Sequence, residues 1–201
     1  QSNGGLDGNI NSWSDDIFLV KYNSSGTKQW TKQLGIFDNE SGVSMTVDSS
    51  DNIYVTGYTT EGYDGNSNSG NYDIFLVKYN SSGNKLWTKQ LGNSDTDIGM
   101  GVTVDSSDNI YVTGIASGGL DSNTSSGGED IVLVKYSSSG TKQWTKQLGS
   151  SSSDFAWDVT VDSSDNIYVT GFINGSLDGQ FNQESNYDIF LVKYNSDGVK
   201  Q

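Results

Sequence analysis

Three polar segments of the chain carry aspartate and asparagine at alternating positions, a spacing typical of loops that surround a calcium ion with oxygen ligands. The predicted ligands are Asp7, Asn9, Asn11, Asp16, Asp64, Asn66, Asn68, Asp73, Asp121, Asn123 and Asp130. The fit is incomplete, because the acidic residue expected at position 12 is absent and a fourth segment, from Asp178, is one residue longer. The alternative is that these side chains form Asx turns in long polar loops.

A second acidic set also recurs once per segment, and it could in principle supply the paired carboxylates of acid–base catalysis. It consists of Glu40, Asp97 and Asp154 together with Asp48, Asp105 and Asp162. A catalytic pair occurs once in an enzyme, so recurrence favours turn and loop roles. The chain has no His and no Cys, which excludes Ser–His–Asp and Cys–His catalysis and the usual zinc ligands. No catalytic residue is predicted.

Large apolar residues stand at positions that differ between the copies, and these are the candidate ligand-binding residues. They are Trp13, Tyr63, Met100, Phe155 and Trp157. Aromatic side chains in polar loops stack on sugars or anchor protein partners. The alternative is drift after duplication. By contrast, the tryptophans that recur at equivalent positions, Trp30, Trp87 and Trp144, are predicted to be packing residues.

The elements that must position these residues belong to a tandem repeat. The run VDSSDNIYVTG starts unchanged at Val47, Val104 and Val161, an interval of 57 residues each time. Such a period indicates one supersecondary unit copied in tandem. Each unit contains four segments with strand character, named a, b, c and d here. Strand c is apolar on both faces, so neighbouring sheets should cover it, whereas strand d alternates and should lie at the outer rim.

A small four-stranded sheet with two apolar faces must stack on copies of itself, and radial stacking produces a β-propeller. The sequence therefore predicts an all-β propeller of four-stranded antiparallel blades of about 57 residues, with an open β-solenoid as the alternative. The chain is predicted to be one repeat region, 1–201, with a half blade at 1–35, blades at 36–92 and 93–149, and an incomplete blade at 150–201. With roughly 3.5 blades, it is expected either to be a fragment of a longer array or to close a ring as a homo-oligomer.

The consensus of the repeats reads VTVDSSDNIYVTG, then LDGN, then DIFLVKYNSSGTKQWTKQLG, in this order. These residues resemble the bacterial β-propeller repeat called SBBP, and the blade is similar to NHL-type blades. The resemblance covers essentially the whole chain. It implies a propeller in secreted or surface-attached bacterial proteins, and it implies no defined activity.

Charge narrows the classes of partner. The formal net charge is −14 and all 11 basic residues are lysine, so a nucleic-acid partner is not expected, because phosphate binding needs a basic face. No apolar run is long enough for membrane insertion. We expect a non-enzymatic, extracellular or cell-surface scaffold that binds a protein or a cell-surface glycan and that calcium stabilises. The alternatives are a carbohydrate-binding lectin and a structural spacer or filament-forming array.

Overall fold

The computed structural model describes residues 5–9, 16–35, 40–177, 179–180 and 187–201. In this part of the chain all regular structure is β-strand, and nothing forms a helix long and apolar enough to cross a membrane. The strands are β1 (Ile17–Tyr22), β2 (Lys28–Leu34), β3 (Glu40–Val47), β4 (Ile53–Thr59), β5 (Asp73–Tyr79), β6 (Lys85–Leu91), β7 (Asp97–Val104), β8 (Ile110–Ser117), β9 (Glu129–Tyr136), β10 (Lys142–Leu148), β11 (Phe155–Val161), β12 (Ile167–Ile173) and β13 (Asp188–Tyr194).

These strands form four antiparallel sheets in chain order. Strands β1 and β2 form a pair, β3–β6 and β7–β10 form two four-stranded sheets, and β11–β13 form a three-stranded sheet. In both complete sheets the spatial order is a, b, c, d, so strands a and d form the two edges. The predicted fold, an all-β array of four-stranded antiparallel blades, is confirmed.

Successive sheets pack face to face along the chain. Strand β7 contacts β3, β4 and β5, and β11 in turn contacts β7, β8 and β9. We call the face of a sheet that packs on the next sheet its forward face, and the opposite face its rear face. One apolar cluster fills each of the three junctions. Strand β5 is buried along its whole length because sheets cover it on both faces, as its apolar sequence predicts.

A bulge in each strand a places one side chain outside the regular ladder. In β11 the register shifts between Ala156 and Asp158, which leaves Trp157 without an opposite residue. Strand b provides glycine beside the bulge, because a Cβ on Gly171 would lie 1.9 Å from the carbonyl oxygen of Phe155. Val43 and Met100 occupy the position of Trp157 in the two complete sheets. A side chain outside the ladder tolerates different sizes, which explains why this position varies between copies.

Candidate functional site

The first aspartate of each predicted calcium loop is held by strand d of its own sheet. Asp64 accepts hydrogen bonds from Lys85 Nζ at 2.6 Å and from the hydroxyl of Thr88. The same arrangement recurs in the other two loops, where Asp7 pairs with Lys28 and Thr31, and Asp121 pairs with Lys142 and Thr145. The carboxylate that would begin a calcium loop therefore fastens the loop to the sheet rim.

The remaining predicted ligands of the second loop bind different partners. Asn66 donates to the carbonyl of Tyr63 at 2.6 Å, and Asn68 donates to the carbonyl of Gly70 at 2.9 Å. Asp73 is buried and accepts from the Gln90 amide at 3.0 Å. The equivalent residues of the other loops follow this pattern at Asn9, Asp16, Asn123 and Asp130.

The described residues contain no group of three or more His, Cys, Asp or Glu side chains close enough to share an ion. Asn11 lies outside the described residues. Within the second loop, Asp64, Asn68 and Asp73 point to separate partners, so an ion there would have to displace them. Calcium binding at the three loops therefore stays a prediction.

The recurring aspartate after strand a organises the a–b turn. Asp105 accepts from the backbone nitrogens of Ser107 and Asn109 through Oδ1, and from the hydroxyl of buried Tyr111 through Oδ2 at 2.9 Å. Asp48 and Asp162 make the same set of contacts in their own turns. Every carboxylate oxygen here accepts a hydrogen bond within its own turn, which is the geometry of an Asx-type turn.

Acidic side chains from neighbouring sheets are buried where the sheets meet. Asp97, the first residue of β7, is fully buried, and only its Oδ2 accepts a hydrogen bond, from the backbone nitrogen of Asn93 at 2.7 Å. Burial raises the pKa of Asp97 to about 7, and the nearby carboxylates of Asp73 and Asp95 add to this shift. Burial also raises the pKa of Asp73. The carboxyl of Asp97 at this junction therefore has a pKa near neutral pH.

The predicted ligand-binding residues fall into different environments. Trp13 lies outside the described residues. Tyr63 is 6% exposed and belongs to the apolar cluster between the first two sheets, so its ring is not open to a ligand. Met100 is half-buried at its bulge. Phe155 and Trp157 lie together on the last sheet, and they are the members of the predicted set that the structure brings into one surface.

That surface is the forward face of the sheet β11–β13. Its aromatic part centres on Phe172, whose ring centroid lies 5.0 Å from Phe155, 5.8 Å from Trp157 and 4.7 Å from Tyr187. Phe172 is paired with Ile189 across β12 and β13, so the aromatic rings continue into an aliphatic part. We call this set the forward apolar surface, and its members are Phe155, Trp157, Phe172, Tyr187, Ile189 and Leu191.

Four of these six residues were not predicted from sequence: Phe172, Tyr187, Ile189 and Leu191. Ile189 and Leu191 belong to strand c, and their copies elsewhere in the chain are buried core residues. The available signal was position rather than residue type, because β13 is the last copy of strand c and no further sheet follows it among the described residues.

The chain belongs to the SBBP β-propeller repeat family, whose model matches residues 29–64, 86–121 and 143–178. Each match begins within strand d and ends in the following b–c loop, so it spans the junction between two successive sheets. Membership confirms the resemblance read from the repeats and decides in favour of a propeller over an open solenoid.

Two curated relatives share part of this sequence. An uncharacterised WD repeat-containing protein L264 of Acanthamoeba polyphaga mimivirus is 30% identical over 185 residues, covering 73% of this chain and 13% of that protein. The regulatory protein FlaEY of Caulobacter vibrioides is 27% identical over 164 residues, covering 74% of this chain and 17% of that protein. The chain thus spans less than a fifth of the length of either relative.

A solved structure of a protein of unknown function from Bacteroides caccae also matches. It aligns with a TM-score of 0.41 at 8% identity, covering 88% of this chain and 53% of that one.

Proposed function

We propose that the chain is a non-enzymatic protein-interaction scaffold that binds its partner through the forward apolar surface. The observation that carries this proposal is the exposure of the side chain at the bulge of strand a. Trp157 is 51% exposed, and Val43 at the same position of the first complete sheet is 43% exposed although β7 packs on β3. A contiguous exposed apolar surface with aromatic residues is characteristic of protein interaction sites.

Two further observations support a binding role. The carboxylates that recur once per repeat are occupied in turns, ion pairs and sheet junctions, as at Asp48, Asp64 and Asp73. The relatives carry the names "regulatory protein" and "uncharacterized WD repeat-containing protein", and neither name states a catalytic activity.

The proposal places the scaffold outside the bacterial cell or on its surface. The support is the family resemblance, which implies secreted or surface-attached proteins. The net charge of −14 is compatible with this setting, because self-repulsion keeps a surface rich in Ser, Asn and Gly soluble.

Sugar binding is a second candidate function, and the aromatic part of the same surface favours it. The rings of Phe172 and Tyr187 meet edge to face at 4.7 Å, and Trp157 is 51% exposed beside them. An exposed ring offers an apolar plane on which a sugar can stack. A lectin would depend on Trp157 and Tyr187, whereas a protein partner would also need Ile189 and Leu191.

The experiment selects binders of the full chain from displayed random peptides and measures their affinity for three variants. Leu191→Ser changes the aliphatic part of the forward apolar surface, and Trp157→Ala changes the aromatic part. Leu86→Ser is the matched control, because Leu86 on β6 is 51% exposed, against 69% for Leu191, and lies on a different sheet. We expect Leu191→Ser to weaken binding at least about tenfold, the cost of losing an interface anchor, with Leu86→Ser unchanged.

Peptides that bind all three variants equally would contradict the proposed function. A glycan array run in parallel separates the second candidate, because glycan hits that Trp157→Ala abolishes and Leu191→Ser preserves would show a lectin. Long fibres of the purified chain would instead support the structural array.

A further inference from the structure

The bulge of strand a leaves a side chain partly exposed even where sheets pack on both sides of it. Met100 on β7 is half-buried, although β3 precedes it and β11 follows it, and both strands contact β7. Its neighbours on the strand, Gly99 and Gly101, are buried. The exposure of Met100 therefore does not depend on which sheet comes first or last.

The two glycines show where the side chain of Met100 can go. A Cβ on Gly99 would lie 2.6 Å from Oγ1 of Thr56 in the preceding sheet, and a Cβ on Gly101 would lie 3.0 Å from Cα of Asp158 in the following sheet. Neither junction has room for a side chain at this level. Met100 therefore extends from the free edge of strand a, which in a propeller faces the central channel.

Neighbouring strands a bring their bulge residues to this same edge. Val43 and Trp157, the copies of Met100, are 43% and 51% exposed. Asp158 follows Trp157, and its Oδ1 lies 3.1 Å from the Cβ position of Gly101, so the carboxylate is beside β7. We call Val43, Met100, Trp157 and Asp158 the inner row.

Charge is divided between the inner and outer halves of each repeat. All 11 basic residues are lysines, and all belong to the c–d hairpins of the outer half. Each a–b hairpin instead carries three acidic residues and no basic one. The acidic residues are Glu40, Asp48 and Asp51, then Asp97, Asp105 and Asp108, then Asp158, Asp162 and Asp165. The inner row therefore lies in a region of negative potential.

The carboxylate of Asp158 is the acidic group that lies in the inner row itself. Its Oδ1 accepts a hydrogen bond from the adjacent backbone nitrogen of Val159 at 2.9 Å. In the part of the chain that the structure describes no lysine forms an ion pair with Asp158, whereas Lys78 reaches Asp48 at 3.5 Å. The charge of Asp158 is therefore available to a cation from another molecule.

We propose that the inner row binds a basic segment of a protein partner, in which lysine or arginine stands next to an apolar side chain. The apolar side chain contacts Met100 and Trp157, and the cation lies between the carboxylate of Asp158 and the ring of Trp157. Charge complementarity selects this partner over an acidic one. The inference rests on the proposed function, because it names the chemistry of the partner that the scaffold binds.

The first experiment compares two displayed peptide libraries on the full chain. In one library every peptide carries lysine or arginine beside leucine or phenylalanine, and in the matched library glutamate replaces each basic residue. We expect enrichment from the basic library alone. The affinity of an enriched peptide should fall as NaCl is raised from about 50 to about 500 mM, because salt screens exposed charges.

The second experiment removes the charge of the inner row. Asp158→Asn keeps the shape of the side chain and should weaken binding of an enriched basic peptide about fivefold, the upper end for an exposed ion pair. Asp197→Asn is the matched control, because Asp197 is an exposed aspartate in a c–d turn, and it should leave the affinity unchanged.

A third variant reverses the charge of the inner row. Met100→Lys places a cation at a position that already differs in size between the repeats, and it should weaken binding of the basic peptide at least about tenfold through repulsion. Leu86→Lys, at 51% exposure on β6, is the control and should have no effect. Thermal melts show whether each variant is folded, and Asp158→Asn decides the question if Met100→Lys is not.

The inference is overturned if the acidic library is enriched as strongly as the basic one, or if Asp158→Asn and Asp197→Asn change the affinity equally. These outcomes differ from failure of the proposed function. Peptide binding that depends on Leu191 and not on charge removes the basic partner and keeps the scaffold. The absence of binders in both libraries removes both.

Discussion

Asp97 has an unfavourable environment for a charged carboxyl, and this makes its contribution to folding depend on pH. Its folded pKa of about 7 lies above its ordinary value of 3.8, mainly because of burial. A group whose pKa is raised on folding makes its full contribution to stability at pH values below its pKa in the unfolded chain. This contribution is lost as pH rises through its pKa in the folded protein. We therefore expect Asp97→Asn to gain stability relative to the natural chain between pH 4 and pH 8. Urea unfolding of both proteins across this range measures the difference.

Asp162→Asn is the control with the opposite sign. Hydrogen bonds from Asn166, Ser164 and Tyr168 lower the pKa of Asp162 to about 2. The contribution of Asp162 to stability is therefore present at pH values above its pKa in the unfolded chain and is lost as pH falls through its pKa in the folded protein. The substitution should destabilise the fold at pH 7 and have less effect near pH 2. Identical pH dependence of the two variants would show that neither carboxyl has the environment described here.

Asp64 is a site of competition between an ion pair and the predicted calcium ion. Lys85 binds its carboxylate at 2.6 Å, so calcium must displace the ammonium group. We expect Lys85→Met to increase the rise in melting temperature that millimolar calcium produces. An ion present at ten times its Kd adds about 1.4 kcal/mol to the free energy of unfolding. Each kcal/mol raises the melting temperature of a chain of this size by about 2–4 °C.

Lys89→Met is the matched control for this melt, because Lys89 lies on the same strand above the ring of Trp87 rather than beside Asp64. If calcium leaves all three proteins unchanged relative to a chelator, the Asp and Asn residues of these loops serve only as turn and rim contacts.

At the scale of the element, a c–d turn joins two strands and also packs against the sheet that precedes it. Gly140 has φ of 82°, and a Cβ there would lie 2.8 Å from Cε of Lys89 and 3.1 Å from the Trp87 ring of the preceding sheet. Gly26 is the first copy, with φ of 77° and nothing within 4 Å. Gly26→Ala should therefore cost only the left-handed conformation, about 1–2 kcal/mol. Gly140→Ala should cost about 1 kcal/mol more, at the low end of overpacking, because the end of the Lys89 side chain can move away and only the Trp87 ring must shift.

Thermal unfolding of the two alanine variants, compared with the natural chain, measures this difference. Equal losses at Gly26 and Gly140 would mean that the turn does not press on the neighbouring sheet. Gly83→Ala provides a replicate, because its contacts with Lys32 and Trp30 repeat those of Gly140.

The strands and their order were predictable because they depend on the local alternation of apolar and polar residues and on the spacing of the repeats. Both features are visible in the sequence. The doubly apolar strand c is the clearest case, since β5 is buried on both faces. The fate of a loop side chain was not predictable in this way. Asp64 reaches Lys85 and Tyr63 enters a core only because the loop folds back over its own sheet, a path that spacing does not record. The exposure of Ile189 depends on the presence of a neighbouring sheet, and residue type carries no signal for that.

At the scale of the whole molecule, repetition makes the two ends of the array complementary. Each internal junction joins a forward face to a rear face of the same repeat, so the last forward face fits the first rear face. The forward face ends in Ile189 and Leu191, and the rear face in Phe18 and Tyr22, which are 44% and 58% exposed. A longer array or a second copy can satisfy both ends with contacts that the chain already contains.

If a second copy satisfies them, the stability of the protein becomes a function of its concentration. Partner binding that occurs only in the folded state stabilises it by mass action. We expect the melting temperature of the full chain to rise as its concentration increases from micromolar to hundreds of micromolar. Met45→Asp should remove this dependence, and Leu86→Asp should retain it, because Met45 but not Leu86 lines the groove between β1 and β3, beside Tyr22 and Val47. Scanning calorimetry over this range measures the trend. A constant melting temperature for the natural chain would show that its folding is independent of association.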